Sequence, residues 1–199
     1  MTLETICFVE ARADGLSRSC TSGHLTGSSW ILSPDRSRTL LTHHRKLDKW
    51  LQLGGHADGE ADLLAVALRE AGEESGLKKL RAISAEIFDL DRHWIPARKR
   101  EAAHWHYDLR FLIEADPTEA LTITSESKDL AWVEVARVTA LNPEVSMARM
   151  VRKTASNISL GAPNRDYLIF SNPAGLSVRK REANPAEKSM IDDGNAAGI

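Results

Sequence analysis

Three glutamates, Glu70, Glu73 and Glu74, stand at positions i, i+3 and i+4 of one segment, directly after Arg69. On a helix, which turns about 100° per residue, their side chains project from one arc of the surface. Neighbouring carboxylates repel each other, and a bound divalent cation removes that repulsion. Hard cations such as Mg²⁺ prefer carboxylate oxygens and keep several waters, which leaves room for substrate phosphates. The spacing therefore indicates a metal-binding face, beside which Arg69 can orient a carboxylate.

A solvated acidic helix face is the simpler interpretation, because runs of charge usually lie on the surface. The glycine pair Gly54 and Gly55, which ends fourteen residues before Arg69, favours the metal site instead. Glycines ahead of a capped helix let bare backbone approach a ligand and bring a carbonyl oxygen to a metal.

The helix that would carry the carboxylates is predicted over Leu63–Ser75. Apolar residues recur there at i, i+3, i+4 and i+7 from Leu64. Asp62 is placed to cap the first turn, and Gly76 stands where a glycine ends a helix.

The remaining segments predict a mixed sheet flanked by helices. A hairpin is expected from strands at 29–32 and 39–43 around a turn at 34–37, a loop is expected at 54–59, later strands at 83–90, 105–113 and 130–135, and a second helix at 143–158. We predict an N-terminal arm with one short helix over residues 1–22, a domain over 23–160 and a C-terminal extension over 161–199. This extension is expected to be disordered from about residue 171, where Asn, Pro, Gly, Ala and charged residues predominate.

The glycine–helix stretch resembles the Nudix box: Gly, five residues, Glu, seven residues, Arg-Glu, an aliphatic residue, any residue, Glu-Glu, any residue, Gly and an aliphatic residue. The residues that match in identity and spacing are Gly55, Arg69, Glu70, Glu73, Glu74, Gly76 and Leu77, with Ala71 as a small aliphatic residue. The box spans 23 residues, and the strand order around it agrees over roughly residues 24 to 140. On this resemblance the chain is identified as a member of the Nudix hydrolase family.

One position departs from the box. Its first glutamate should stand at Ala61, and Glu60 is one place early. A shorter loop before Glu60, with a compensating residue before the helix, would explain the shift. A role for Glu60 is therefore open, whereas the helical carboxylates keep their register.

The resemblance implies an α/β (α+β) fold, the Nudix-type α/β/α sandwich with a mixed β-sheet, and Mg²⁺ or Mn²⁺ as cofactor. It implies attack of an activated water on a diphosphate phosphorus. Glu70 and Glu74 would be the main metal ligands. Glu73 would be a further ligand or a partner of Arg69, and the carbonyl of Gly55 would complete the set.

Polar residues outside the box are candidates with two interpretations each. Glu126, ahead of a late strand, is a general base, a metal ligand or a surface charge, and Asp129 is a weaker rival. His104, His106, Asp108 and Arg110 alternate on one strand face, which indicates either a wet substrate cavity or a solvent-facing strand.

Loop residues add further substrate candidates. His56 follows the glycine pair, Arg45 lies in the basic run 43–46, and Arg98 belongs to a cluster with Arg92, Lys99 and Arg100. Each could contact a phosphate or lie in solvent. Trp30, Trp50 and Trp105 could stack on a base, but a core position is commoner.

Composition narrows the class of protein. Of the 199 residues, 42% are hydrophobic, which is typical of a globular protein. The net charge of −2 gives no overall positive potential that would attract a nucleic-acid backbone. No apolar run is long enough for a membrane span, so we expect a cytoplasmic monomer or homodimer that binds a small nucleotide-like diphosphate. Cys7 and Cys20 are expected to be free, as is usual for two cysteines in such a chain.

Two functions remain open. The first is metal-dependent hydrolysis of a diphosphate linkage in a nucleoside diphosphate joined to another group, such as a nucleotide sugar, a dinucleotide or a nucleoside triphosphate. The alternative is a catalytically silent nucleotide-binding module on the same fold. The three intact box glutamates favour the enzyme. An isoprenoid diphosphate isomerase is disfavoured, because both cysteines precede the first core strand.

Overall fold

The computed structural model describes residues 2–98, 102–160, 167–172 and 175–180, with side chains over 3–98 and 102–156. The helices are α1 (Thr2–Ala11), α2 (Leu63–Ser75), α3 (Val138–Leu141), which follows a 3₁₀ turn at Val135–Arg137, and α4 (Val145–Leu160). The strands are β1 (Gly23–Leu32), β2 (Arg38–His44), β3 (Lys49–Leu51), β4 (Leu53–His56), β5 (Arg81–Ile95), β6 (His104–Glu114), β7 (Ser127–Glu134), β8 (Tyr167–Asn172) and β9 (Gly175–Lys180). Within these ranges, none of the helices has the length and apolar character needed to cross a bilayer.

Strand β1 is the centre of a seven-stranded mixed sheet. It runs parallel to β6 along its whole length and antiparallel to β4, and it meets β2 only at Leu32 and Thr39. Strand β5 extends the sheet beyond β6, while β3 and β7 both pair with β2. A separate antiparallel pair, β8 and β9, follows α4.

Helices cover both faces of the sheet, because successive residues of a strand point to opposite sides. Ser29 donates through its hydroxyl to the carbonyl of Ala67 in α2, at 2.7 Å. Its neighbour Trp30 points the other way and donates through Nε1 to Thr154 in α4, at 2.9 Å. The predicted α/β/α sandwich with a mixed sheet is confirmed.

Helix α2 begins and ends where the sequence predicts. The carboxylate of Asp62 accepts the backbone N–H of Ala65 at 3.0 Å. Gly76 adopts a left-handed conformation, with φ of 77°, and its N–H closes on the carbonyl of Gly72. Both caps satisfy backbone groups that the helix itself leaves unpaired. The helix predicted over 143–158 is α4, displaced by two residues.

The glycine pair lies in a strand, so the prediction of a loop from residue 54 is wrong for Gly54 and Gly55. A side chain at Gly54 would collide with Ser28 of β1, and one at Gly55 would collide with the carboxylate of Glu70. Gly54 therefore permits close pairing of β4 with β1, and Gly55 permits close packing of β4 against α2. The turn itself follows at Asp58 and Gly59, both with positive φ.

The N-terminal segment contains the one helix that was expected, and this helix joins the core. Phe8 of α1 stacks on Tyr107 of β6, with ring centroids 4.1 Å apart. Cys20 is buried beside it, Cys7 is exposed, and both are free, as predicted. The boundary at 22/23 stays a prediction. The tail predicted to be disordered from residue 171 includes strand β9, and 181–199 lie outside the described residues.

If α1 is part of the core, Phe8→Ala should lower the free energy of unfolding by about 3 kcal/mol, the usual cost of truncating a buried aromatic ring. Urea denaturation measures this loss. Leu3→Ala is the matched control, since Leu3 lies on the same helix and is 76% exposed. Equal, small losses in both variants would show that α1 adds nothing to the core.

Candidate functional site

The carboxylates of Glu70 and Glu74 lie between α2 and strand β4. The backbone N–H of Gly54 donates to Oε2 of Glu74 at 3.1 Å. The carboxylate of Glu70 occupies the space that a side chain at Gly55 would take. Both glutamates are half-buried, whereas the side chain of Glu73 is 63% exposed. The structure thus brings the box residues Gly55, Glu70 and Glu74 together with Gly54 and leaves Glu73 on the outer rim.

Glu70, Glu73 and Glu74 form the acidic face of α2, and Arg69 connects this face to the end of β4. Its Nη1 lies 2.7 Å from Glu70 and 3.5 Å from Glu73, and its Nη2 donates to the carbonyl of His56 at 3.4 Å. One guanidinium therefore orients two carboxylates and the strand that carries the glycines. The predicted partnership of Arg69 with Glu73 is present, but Glu70 is the closer partner.

Burial disfavours the ionised forms of Glu70 and Glu74. Burial raises the pKa of Glu74 to about 7, the charges of Glu70 and Glu126 add to the rise, and the Gly54 N–H opposes it. Burial also raises the pKa of Glu70, against the opposing charge of Arg69. A buried pair whose ionised forms are disfavoured is the arrangement that a cation would relieve.

Glu126 shares this electrostatic environment, because its charge raises the pKa of both Glu70 and Glu74. Its loop is held by Arg45, which donates through Nε to the carbonyl of Ser125 at 3.0 Å and through Nη2 to that of Ser127 at 2.7 Å. The Arg45 backbone N–H also donates to the Glu126 carbonyl at 2.8 Å. Arg45 therefore fixes the position of Glu126.

His44, which precedes Arg45, and Arg98 are the next basic residues among the candidates. Burial lowers the pKa of His44, the charge of Glu126 raises it, and the charges of Lys46 and Arg98 lower it. Arg98 is exposed. Its sequence neighbours Lys99 and Arg100 lie outside the described residues.

Glu60 and Asp129 have local partners. Glu60 accepts the backbone N–H of Asp62 at 2.8 Å, so it supports the turn before α2. Asp129 accepts the N–H of Leu130, also at 2.8 Å. Among the tryptophans, Trp30 is fully buried, Trp50 stacks on His43, and Trp105 lies under the guanidinium of Arg92.

The alternating face of β6 is interior, so the solvent-facing alternative is wrong. Strand β6 lies between β1 and β5, and its polar face is covered at one end by α4. Arg110 is 3% exposed and contacts Asp108 at 2.7 Å, Asp89 at 3.4 Å and Asp91 at 3.4 Å. Its guanidinium is engaged by carboxylates and is separate from the acidic face of α2.

Helix α4 supplies the other cations of this buried ionic network. Arg149 contacts Asp89 at 2.8 Å and Asp91 at 3.0 Å, and Lys153 contacts Asp89 at 2.8 Å. Burial would raise the pKa of Asp91, but hydrogen bonds from His93 and Arg149 and the charge of Arg110 hold it below its usual range. The network joins the last helix to strands β5 and β6.

At the other end of the same face, His56 and His106 meet, with ring centroids 5.0 Å apart. His24 of β1 lies beside both rings, and it was not among the residues selected from the sequence. The signal that could have identified His24 is the alternation of His24, Thr26 and Ser28, polar residues on one face of a strand.

Comparison with known proteins places this geometry in a family. The NUDIX domain model matches residues 24–153, which include the whole of the acidic face and its glycines. The chain therefore belongs to the NUDIX domain family. No curated protein matches the sequence.

Solved structures share the fold at low identity. An Ap4A hydrolase from C. elegans is 16% identical over 68% of this chain and 97% of its own, with a TM-score of 0.55. A NUDIX-family hydrolase from Clostridium perfringens is 22% identical over 67% and 97%, with a TM-score of 0.52. The E. coli dihydroneopterin triphosphate pyrophosphohydrolase is 16% identical over 67% and 95%, with a TM-score of 0.52.

The raised pKa of Glu74 predicts a pH-dependent stability of the metal-free protein. The folded state holds a proton up to about pH 7 that the unfolded chain releases near 4.5, so this stabilisation is complete below 4.5 and lost as the pH rises through 7. We expect Glu74→Gln to gain about 3 kcal/mol relative to wild type between these values, at about 1.4 kcal/mol per pKa unit.

Urea denaturation in chelator across this pH range measures the difference. Glu60→Gln, which removes an exposed carboxylate of the preceding turn, should follow the wild type at every pH. If Glu74→Gln also follows the wild type, the carboxylate of Glu74 is not destabilised by burial.

Proposed function

We propose that this protein is a hydrolase that uses Mg²⁺ or Mn²⁺ to cut a diphosphate linkage in a nucleoside diphosphate joined to another group. The observation that carries the proposal is the half-buried pair Glu70 and Glu74, packed under the bare backbone of Gly54 and Gly55. Membership of the NUDIX domain family supports the same chemistry.

The residues present fit a hard divalent cation. Glu70 and Glu74 would hold it, with Glu73 and the carbonyl of Gly55 as further oxygen donors, the ligand type that Mg²⁺ prefers. The glycine at position 55 leaves open the space into which the Glu70 carboxylate reaches. When bound, the cation neutralises charge on the phosphates and lowers the pKa of a bound water.

The protein's own groups then position the reactants. The carboxylate of Glu126 accepts a proton from the attacking water, whose oxygen forms a bond to one phosphorus of the diphosphate. The bond from that phosphorus to the bridging oxygen breaks, and the second phosphate leaves with that oxygen. Arg69 keeps Glu70 in place during the reaction, and Arg45 keeps Glu126 in place, as their contacts indicate.

The basic residues and the names of the related structures guide the choice of substrates to test. Arg98 is the proposed contact for a distal phosphate. His56 points to the face of the sheet away from Glu70 and Glu74, so we do not assign it to the substrate. The C. elegans and E. coli structures that share the fold carry the names of an Ap4A hydrolase and a dihydroneopterin triphosphate pyrophosphohydrolase. A panel of nucleotide sugars, dinucleotide polyphosphates and nucleoside triphosphates is therefore the appropriate screen.

Metal dependence is the first test of the proposal. Activity should be absent in excess chelator and return with Mg²⁺ or Mn²⁺. Glu74→Gln, which keeps the side-chain volume but removes the charge, should lower kcat by at least about 100-fold and change KM much less, since about 1.4 kcal/mol of lost transition-state stabilisation costs tenfold.

Glu60→Gln is the matched control and should keep most of its activity. Equal loss in both variants would place Glu60 in the site and shift the register of the box. Full activity in chelator, with protein verified to be metal-free, would contradict the mechanism, and absence of any turnover across the panel would favour the binding module.

Glu126 and Asp129 offer a second matched pair. Glu126→Gln should lower kcat by about 100-fold or more, as expected for loss of a general base, whereas Asp129→Asn should be nearly wild type. Steady-state kinetics at saturating metal separates the two. The opposite ranking would identify Asp129 as the base.

A further inference from the structure

Five of the seven histidines gather at one end of the interior sheet face, and their ring centroids form a connected set with spacings of 4.7 to 5.4 Å. They come from four neighbouring strands: His24 from β1, His56 from β4, His93 from β5, and His104 and His106 from β6. Sheet pairing aligns them, since His24 is opposite His106, which is opposite His93. The function proposed above does not require this cluster.

We propose that His24, His56 and His106 form a Zn²⁺ site. One ring nitrogen from each lies within 4.8 Å of the other two. Zn²⁺–N bonds of about 2.0–2.1 Å in tetrahedral geometry separate ligand atoms by about 3.4 Å, so the rings need to close by at most about 1.4 Å. Rotation about side-chain torsions is sufficient for such a movement.

The donor set distinguishes this site from the acidic face. Imidazole nitrogens are the ligands that Zn²⁺ and the later transition metals favour, whereas Mg²⁺ and Mn²⁺ favour carboxylate and carbonyl oxygens. His24 is 2% exposed, so the site is closed at this residue. His56 and His106 are half-buried, so the site is open to solvent on their side. Three histidines would leave a fourth position for water or another ligand.

His104 is placed to orient His106. Its Nδ1 lies 2.8 Å from the carbonyl of Ala102, which can only accept, so Nδ1 carries the proton. Nε2 of His104 is then an acceptor and receives the Nε2–H of His106 at 3.0 Å. This leaves Nδ1 of His106 with its lone pair. Metal-binding histidines commonly have the other ring nitrogen fixed in this way.

Burial favours the neutral form of His106, which is the form that binds metal. Burial, followed by the rings of His56, His93, His24 and His104, lowers the pKa of His106 to about 2. A group of imidazoles this close cannot all carry charge, and a bound cation would use the lone pairs they direct at each other.

The Zn²⁺ site and the acidic face lie on opposite sides of β4. Gly55 is opposite Gly27 and faces α2, whereas His56 is opposite Thr26 and points to the other face of the sheet. Binding at His56 would therefore stabilise the strand that donates the Gly54 N–H to Glu74 and leaves space for Glu70 at Gly55.

The test uses the full chain, stripped of metal and then held in excess Mg²⁺ so that hard-cation sites are filled. Zn²⁺ is titrated in competition with a chromophoric chelator, and Co²⁺ is used as a spectroscopic probe of tetrahedral nitrogen coordination. We expect one tight Zn²⁺ per chain. His56→Gln and His106→Gln should weaken it by more than about 100-fold, since loss of an outer-shell partner alone costs about 10- to 100-fold.

Two controls locate the metal. Glu74→Gln removes an acidic-face ligand, and His43→Gln removes a histidine that pairs with Asp48 outside the cluster, so both should bind Zn²⁺ like the wild type. Melting curves in chelator verify that each variant folds. If His106→Gln does not fold, the half-buried His56→Gln decides. Wild-type protein without tight Zn²⁺, unchanged affinity in the folded histidine variants, or loss of Zn²⁺ in Glu74→Gln would each overturn the proposal.

Discussion

The close approach of strand β4 to helix α2 is the constraint on which the candidate site depends. A backbone N–H of Gly54 meets the carboxylate of Glu74, and the absent side chain of Gly55 makes room for Glu70. A side chain at Gly55 would take the space of the Glu70 carboxylate and displace it. Glu70 and Glu74 are half-buried, which disfavours their ionised forms. A bound cation would stabilise the two carboxylates in this position.

Much of the site is organised by arginines that hold other groups. Arg69 contacts two carboxylates and the end of β4, and Arg45 fixes the loop of Glu126 through two carbonyls. Their planar, multi-donor heads suit them to this task, because one side chain can fix several acceptors at once. Carboxylates held close together repel one another, so such supports keep them from separating.

The sequence predicted the features that depend on neighbouring residues. Helix α2 could be bounded because its caps, Asp62 and Gly76, act within one turn of it. The strand position of the glycine pair was missed, since it depends on Ser28 and Glu70. His24 was missed for the same reason: its ring neighbours come from strands about 30 and 80 residues away, and only sheet register brings them together.

The buried ionic network under α4 has a consequence for how this helix is attached. Arg110, Arg149 and Lys153 share the carboxylates of Asp89, Asp91 and Asp108, mostly away from water, so dissolved salt screens these contacts little. Removing Arg110 would leave the buried carboxylate of Asp108 without its cation, at a cost of about 3–5 kcal/mol, whereas replacing the whole group with apolar residues could be neutral. In related sequences, we therefore expect these six residues to be replaced together or to be kept together.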